Sequence, residues 1–202
     1  MHTIARISLT TLVAAVAGTT LGQTTRTVGP NLTDFDHLTI TAAIAASGSG
    51  DLILVEPDIY PENLSIPSGL SVTIENADPA AGEAIIFGQG LGRCLTLDTG
   101  ANASVVLRDL VFDGGFNAVN GGAIGMFTTN SAVIERCIIR NSFAGEDGGG
   151  GDASGTLVMT DTIIEDNESG VYAGGIYIGS SVADATLVDV TIRGNLAVDG
   201  GG

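Results

Sequence analysis

The second half of the chain repeats itself with a period of about 26 residues. Each of four segments has an apolar residue, a residue two positions later that is Asp in three of them, and a second apolar residue three further on. Each then ends in a Gly-Gly pair, and the pairs begin at Gly121, Gly148, Gly174 and Gly200. The apolar runs are short, rich in Ile, Val and Thr, and bounded by Gly, Asn and Asp. This pattern is typical of a solenoid of short strands separated by turns.

The composition of each unit selects one type of solenoid. A leucine-rich repeat needs several leucines and a helix-length segment per unit, which are missing here, and a propeller blade needs about 40 residues. We therefore predict an all-β fold, a right-handed parallel β-helix with a short N-terminal capping helix. Like residues of successive coils then lie over one another, because each strand pairs with the coils above and below. Two internal apolar columns are predicted, Leu107, Ile134, Met159 and Leu187, and Phe112, Ile139, Ile164 and Ile192.

Polar residues recur at the turns of the repeat. Asn141, Asn167 and Asn195 are predicted to form a structural ladder in which side-chain amides join successive coils. The Gly pairs are expected to supply turns with positive φ or close approach between coils. The second unit departs from the pattern, because Arg136 replaces Asp and its Asn comes one residue early.

The first residues have the layout of a targeting segment. Arg6 precedes an apolar run from Ile7 to Gly18, followed by small residues, which is typical of a secretory signal peptide. A membrane anchor is disfavoured, since a spanning helix needs about 20 predominantly apolar residues. The sequence therefore predicts a secreted protein, extracellular or on the outer cell surface. The predicted organisation is a signal peptide (1–22), a linker (23–35) and a β-helix domain (36–202), with its cap helix (36–47), irregular first coils (51–106) and four repeats (107–202).

The charge of the chain is strongly acidic. Its net charge is −16, all 23 acidic residues follow Gly22, and lysine is absent. Such a surface repels phosphate backbones and anionic lipid headgroups, which argues against nucleic acid and direct membrane insertion. Cations or neutral glycans fit better as partners, although the charge also serves solubility. Cys94 and Cys137 lie in apolar stretches and are predicted to be buried thiols, with a disulfide left open.

The aligned Asp109, Asp161 and Asp189 are the first candidate functional site. Carboxylates on adjacent coils could bind Ca²⁺, or act as the acid and base of glycoside cleavage. Arg136 interrupts the column, however. An Arg among Asp residues on neighbouring coils favours the alternative of a charge-compensated structural ladder at a bend.

A second candidate site is the acidic, glycine-rich segment 145–152. Its Glu146, Asp147 and Asp152 could coordinate Ca²⁺, but the Gly and Asp residues favour the alternative of a solvated loop. Arg193 is the basic residue that a lyase mechanism would have available in the last repeat, where it is expected to be exposed.

The start of the predicted domain resembles a known family. Asp36–Ile66 looks like the N-terminal opening of the pectin-lyase-like β-helix superfamily, with a cap helix, a first strand and a Tyr60–Asn63 turn. Asp58 stands where that family has Gly. Gly121–Ile124 and the Ile-x-x-Asn elements are similar to the repeats of polymorphic outer-membrane proteins. The resemblance implies a structural role for the Tyr60–Asn63 turn.

The resembled superfamily includes lyases, methylesterases, hydrolases, phage tailspikes and adhesins, so the fold does not select a function. Motifs of the methylesterases and polygalacturonases are absent, and no histidine follows His37. We therefore predict an adhesin-like or glycan-facing scaffold without a catalytic site, with polysaccharide or cell-surface glycan as partner. The alternative is a polysaccharide lyase or glycoside hydrolase whose site lies in missing coils or on the acidic column.

The last residues fall within a turn of the repeat, at Gly200–Gly202. Because a solenoid needs a cap over its last core layer, the sequence predicts a C-terminally incomplete fragment. An uncapped coil would also favour end-to-end self-association through its exposed strand edges.

Overall fold

The computed structural model describes residues 22–97, 102–127, 129–179 and 184–199. Within them the chain is an all-β parallel solenoid of about six turns with one short helix, as the repeat predicts. The predicted signal peptide, apart from Gly22, and the Gly200–Gly201 pair lie outside the described residues.

After β1 and the helix, each coil contributes three or four short strands among the described residues. The first coils contain β1 (Thr25–Val28), α1 (Ile40–Ala46), β2 (Leu52–Val55), β3 (Ile59–Tyr60), β4 (Leu64–Ile66), β5 (Ser71–Asn76), β6 (Ala84–Phe87) and β7 (Leu95–Leu97). The next two contain β8 (Ser104–Arg108), β9 (Leu110–Asp113), β10 (Phe116–Asn117), β11 (Ile124–Met126), β12 (Ser131–Glu135), β13 (Ile138–Arg140), β14 (Phe143–Ala144) and β15 (Gly151–Ala153). The last contain β16 (Thr156–Thr160), β17 (Ile163–Glu165), β18 (Glu168–Tyr172), β19 (Ile176–Ile178), β20 (Asp184–Val188), β21 (Thr191–Arg193) and β22 (Leu196–Asp199).

The strands form four parallel sheets that run along the solenoid. Sheet A has the order β1-β2-β5-β8-β12-β16-β20, and sheet B the order β3-β6-β9-β13-β17-β21. Sheet C has the order β4-β7-β11-β15-β19, and the short sheet D the order β10-β14-β18-β22. The core lies between these sheets, because the side chains of each strand alternate between the interior and solvent.

Both predicted apolar columns are present. In sheet A, Ile134 pairs with Leu107 and with Met159, and all three side chains are at most 2% exposed. In sheet B, Ile139 pairs in the same way with Phe112 and Ile164. The fourth members pair in register as well, but they are more exposed, with Leu187 at 37% and Ile192 at 38%.

The glycine pairs are stacked with one shift that the sequence hides. Gly121 and Gly148 both have positive φ, and the residue in line with them in the next coil is Ala173, with φ of +51°. Gly174 instead lies over Gly149. The third pair is therefore displaced by one residue, and a non-glycine residue adopts the left-handed conformation that favours glycine.

The segment predicted to be a linker contains a strand. Thr25–Val28 forms β1 and pairs in register with β2, so the solenoid begins before the helix. The N–H of Thr24 and the guanidinium of Arg26 both donate to the carboxylate of Asp51. Backbone pairing at the edge of sheet A orders this segment although its sequence is polar.

The short helix α1 packs against strands β1, β2 and β4 of the first coils. It buries Ile40, Ala43 and Ile44, and Thr39 caps it by accepting a hydrogen bond from the N–H of Ala42. The carboxylate of Glu62 accepts from the N–H groups of the first two helical residues at 2.9 and 2.8 Å.

The other polar residues of the Tyr60–Asn63 turn also bind backbone groups. The Tyr60 hydroxyl donates to the carbonyl of Glu56 at 2.9 Å, and Asn63 Nδ2 donates to the carbonyl of Arg93 at 2.8 Å. Together with Glu62, these side chains make the turn a structural element of the first coils.

Candidate functional site

The predicted acidic column lies at the bend between sheets A and B. Asp109, Asp161 and Asp189 have φ of +55°, +49° and +53°, and Arg136 has +53° at the equivalent place. The Asp109 carboxylate accepts hydrogen bonds from Nε and Nη2 of Arg136, at 2.8 and 2.7 Å. Asp109 is therefore held in a bidentate ion pair between two coils.

Arg193, the residue considered for a lyase mechanism, is also ion-paired. Its Nε and Nη2 lie 2.8 and 2.7 Å from Oε2 of Glu165 on the preceding coil. Arg140 pairs with Asp113 in the same row of sheet B at 2.8 Å. The arginines of this sheet therefore serve as links between coils.

The three predicted calcium ligands of segment 145–152 have different surroundings. Asp152 belongs to strand β15 and Asp147 accepts the N–H of Tyr172 at 3.1 Å, while Glu146 is exposed. The expectation of a loop is wrong for the end of this segment, because Gly151–Ala153 pairs with strands on both sides. Among the described residues, no group of three or more His, Cys, Asp or Glu could hold a metal ion.

The polar turn column differs from the predicted ladder at one position. Asn167 Nδ2 donates to Asn195 Oδ1 and to the carbonyl of Ile139, each at 3.0 Å. The next member of the column is Ser142, whose N–H donates to Asn167 Oδ1 at 3.1 Å. Asn141 precedes it, has positive φ, and directs Nδ2 to the carboxylate of Asp113. The early Asn of the second unit is thus outside the column.

Both cysteines are free and buried. Desolvation raises the pKa of Cys94 and of Cys137 to about 12. Because the thiolate is the reactive form, neither thiol is a nucleophile at neutral pH.

The outer face of sheet C brings together polar groups that the sequence analysis did not combine. Arg93, just before β7, donates Nε to the carbonyl of Gly121 at 2.9 Å and Nη2 to that of Asn120 at 2.6 Å. Its guanidinium carbon lies 5.7 Å from the centre of the Phe127 ring. We call the surrounding group the Arg93 cluster, which consists of Arg93, Asn120, Phe127, Asp152, Ser154 and Tyr177.

A glycine makes room for the arginine. The outward positions of sheet C are occupied by Ser65, Thr96, Gly125, Asp152 and Tyr177 in successive coils. A Cβ atom added at Gly125 would lie 2.5 Å from Nε of Arg93. The arginine side chain therefore lies across Gly125, on the side of the sheet where Asp152 and Tyr177 follow.

The two charges of the cluster perturb one another across a gap. Burial raises the pKa of the Asp152 carboxyl, opposed by a hydrogen bond from Asn120 and by the charge of Arg93. Burial also lowers the pKa of Arg93, opposed by the charge of Asp152. Within the described residues, no ion pair of 4.0 Å or less joins them. An acid with a raised pKa beside a partly buried guanidinium marks this surface as the candidate functional site.

Sequence reasoning missed this site because its members come from four different coils. Arg93 lies in the irregular first half, and Tyr177 follows a glycine pair whose register is shifted. Only Asp152 was a candidate, and for a different ligand. The one available signal was Gly125, a glycine inside an apolar strand, which often marks a close approach by another group.

The fold defines the class of this protein as a parallel β-solenoid. A comparison with models of known protein families finds no match, and comparisons with curated proteins and with solved structures find none either. The resemblance to the pectin-lyase-like superfamily therefore stays a prediction. None of the described helices is long and apolar enough to span a membrane.

Proposed function

We propose that this chain is an exported, non-catalytic scaffold that binds polysaccharide or cell-surface glycan through the Arg93 cluster. We also propose that it belongs to the pectin-lyase-like superfamily, with repeats similar to those of polymorphic outer-membrane proteins. The observation that carries the proposal is the guanidinium of Arg93, which backbone carbonyls hold across Gly125 against the Phe127 ring, on the face of sheet C that carries Asp152.

The chemistry of the cluster supports sugar binding. A sugar presents hydroxyl groups that both donate and accept, and C–H faces that pack on aromatic rings. Arg93 keeps Nη1 without a hydrogen bond to the described residues, while Asp152 offers acceptor oxygens. The Phe127 ring lies against the Arg93 guanidinium, and Tyr177 is the residue in register with Asp152 in the following coil.

The rigidity of the cluster also supports binding. Three hydrogen bonds to backbone carbonyls fix the Arg93 side chain, so little conformational entropy remains to be lost when a ligand arrives. The carbonyls belong to residues 120 and 121. Asp147 of the next coil binds both, since its carbonyl accepts from the N–H of residue 121 and its N–H donates to the side-chain oxygen of residue 120. A preformed site of this kind needs no closing loop.

The proposal is tested by glycan binding with two matched arginine variants. Arg93→Ala removes the guanidinium of the cluster, and Arg193→Ala removes an exposed guanidinium on another face. We expect Arg93→Ala to weaken glycan binding by about tenfold or more, because the variant loses a charge-assisted hydrogen bond to the ligand. Arg193→Ala should bind like the parent chain in isothermal titration. Equal binding by both variants would show that the glycan site lies elsewhere.

A second candidate function is polysaccharide cleavage by a lyase or glycoside hydrolase. It is favoured by the position of the half-buried Asp152 carboxyl on the face reached by Arg93, because burial raises the pKa of this carboxyl and a raised pKa suits a general acid. The test is an assay for new reducing or unsaturated sugar ends on neutral and acidic polysaccharides. Products formed by the parent chain and not by Asp152→Asn would support an enzyme, and no products from any polysaccharide would remove it.

A further inference from the structure

We infer that the Arg93 cluster selects neutral glycans with adjacent hydroxyl groups over glycans that carry carboxylates. This inference rests on the proposed glycan-binding function and adds the chemical class of the ligand. It follows from the arrangement of charges and hydrogen-bonding groups in the cluster.

A ligand that approaches Arg93 meets negative charge as well as the guanidinium. The guanidinium is already directed at the carbonyl oxygens of Asn120 and Gly121, and the negative charge of Asp152 acts on it across the gap. Asp147 adds a second negative charge that acts on Asp152. A ligand carboxylate that reached Arg93 would therefore also approach Asp152, and like charges brought together weaken binding.

Arg93 and Asp152 offer a ligand complementary hydrogen-bonding groups. Arg93 can only donate, and ionised Asp152 can only accept. One hydroxyl of a sugar can accept from Arg93 while its neighbour donates to Asp152, so a pair of adjacent hydroxyls satisfies both groups. A carboxylate satisfies Arg93 alone and offers no further donor to Asp152, whose side-chain hydrogen bonds come from Asn120 and Ser154. The bond from Ser154 Oγ to Asp152 Oδ1 is long, at 3.5 Å, so the carboxylate can still accept from a ligand hydroxyl.

The net charge of the chain affects how fast a charged ligand can approach. The chain carries a net charge of −16 and no lysine, and exposed Glu146 lies in the turn before the cluster residues of β15. A polyanion is repelled before contact, which lowers its association rate, whereas a neutral polysaccharide is not affected.

The experiment compares neutral with acidic polysaccharides on the same chain. Affinity electrophoresis and titration calorimetry use a neutral series (β-glucan, galactan and mannan) and an acidic series (polygalacturonate and alginate), at low and moderate salt. The variants are Asp152→Ala, which removes the acceptor, and Gly125→Ala, whose added methyl group displaces the Arg93 side chain. Arg93→Met tests the guanidinium without a change in the strand, and Asp189→Asn is the control on a distant exposed carboxylate.

We expect binding to at least one neutral polysaccharide, independent of salt, and about tenfold weaker binding for Asp152→Ala, Gly125→Ala and Arg93→Met. Asp189→Asn should bind like the parent chain. Tighter binding of the acidic series than of the neutral series, increased further by Asp152→Ala, would overturn this inference and leave the proposed function standing. Binding to neither series would overturn the proposed function itself. Neutral binding that survives both Gly125→Ala and Arg93→Met would overturn the assignment to this cluster.

Discussion

Single side chains connect the coils at the turn between sheets B and D. Asn167 is 1% exposed, and its amide satisfies groups in the coils on both sides. The N–H of Ser142 and the carbonyl of Ile139 depend on it, and the latter belongs to the column of buried residues in sheet B. A buried backbone group that loses its partner costs free energy, because no water can replace the bond.

Replacement of this amide should therefore destabilise the chain. Asn167→Ala leaves the Ser142 N–H and the Ile139 carbonyl unsatisfied, at about 1–3 kcal/mol each. The measurement is the free energy of unfolding from urea denaturation. Asn141→Gly is the control, since Asn141 is exposed, has positive φ and lies outside the column, and it should change stability by less than about 0.5 kcal/mol. Equal losses in the two variants would contradict the role given to Asn167.

The ionisation of Asp152 should oppose folding. Its folded-state pKa is raised above the ordinary value of 3.8, chiefly by burial, so the proton is held more tightly in the folded chain. The stabilisation that comes from this tighter proton binding is fully present below pH 3.8, and it is lost as the pH rises through the folded-state pKa of Asp152. Asp152→Asn should consequently raise the melting temperature at pH 7.

The pH dependence supplies the control for this variant. The gain from Asp152→Asn should shrink as the pH falls towards 3.8, because the wild-type carboxyl then becomes neutral as well. A gain that is the same at pH 4 and pH 7 would mean that the effect comes from packing and not from charge.

Among the elements, the outward face of sheet B carries charges that alternate from coil to coil. Asp109 precedes β9 and Asp113 ends it, whereas Arg136 precedes β13 and Arg140 ends it. Strand β17 again has an acidic residue at both places. Each arginine binds the carboxylate directly below it. This order of charge favours one stacking partner for each coil, since a slip would place like charges together.

A charge exchange tests this role of the bend. Arg136→Asp removes the bidentate pair with Asp109 and places two carboxylates on adjacent coils, which should cost roughly 1 kcal/mol at this half-exposed site. The double variant Asp109→Arg with Arg136→Asp restores an opposite pair and should recover most of the loss. A coupling energy near zero in the double-mutant cycle of urea denaturation would show that the pair does not contribute.

Much of the element-level architecture follows from the sequence because the repeat fixes it. The spacing of apolar residues placed Leu107, Ile134 and Met159 in one column, and backbone pairing leaves a coil no other register in which they are buried. The pattern fails where one residue is inserted or removed inside a turn. Gly174 and Asn141 were each aligned one position away from their place in the fold. Turn lengths are not constrained by the core, so residue type alone could not reveal the shift.

The candidate site was harder to predict than the fold. Arg93 reaches carbonyls that are 27 and 28 residues further along the chain, and it lies beside a carboxyl of a third coil. No local pattern links these positions, and repeat analysis compares only equivalent residues. Strand β1 was missed for a related reason, since its polar sequence is ordered by its partner β2.

At the scale of the whole molecule, net charge should limit stability. With a net charge of −16, the folded chain suffers self-repulsion that salt can screen. Raising NaCl from about 10 mM to about 150 mM shortens the screening length from about 30 Å to about 8 Å. We expect the melting temperature at pH 7 to rise over this range.

The control uses the isoelectric region. At pH 4, close to the sequence pI of 4.1, the net charge is near zero and the same salt increment should leave the melting temperature unchanged or slightly lower. A fall in melting temperature with salt at pH 7 would instead indicate that the ion pairs between coils dominate over the net repulsion.

The coil that carries Arg136 and Arg140 is electrostatically unlike its neighbours. Excision of residues 131–155 would join equivalent points of the turn and let β16 take the place of β12 on β8. Asp161 would then face Asp109, and Glu165 would face Asp113. Loss of this unit by unequal recombination would therefore preserve the strand register and carry an electrostatic cost on that side of the solenoid.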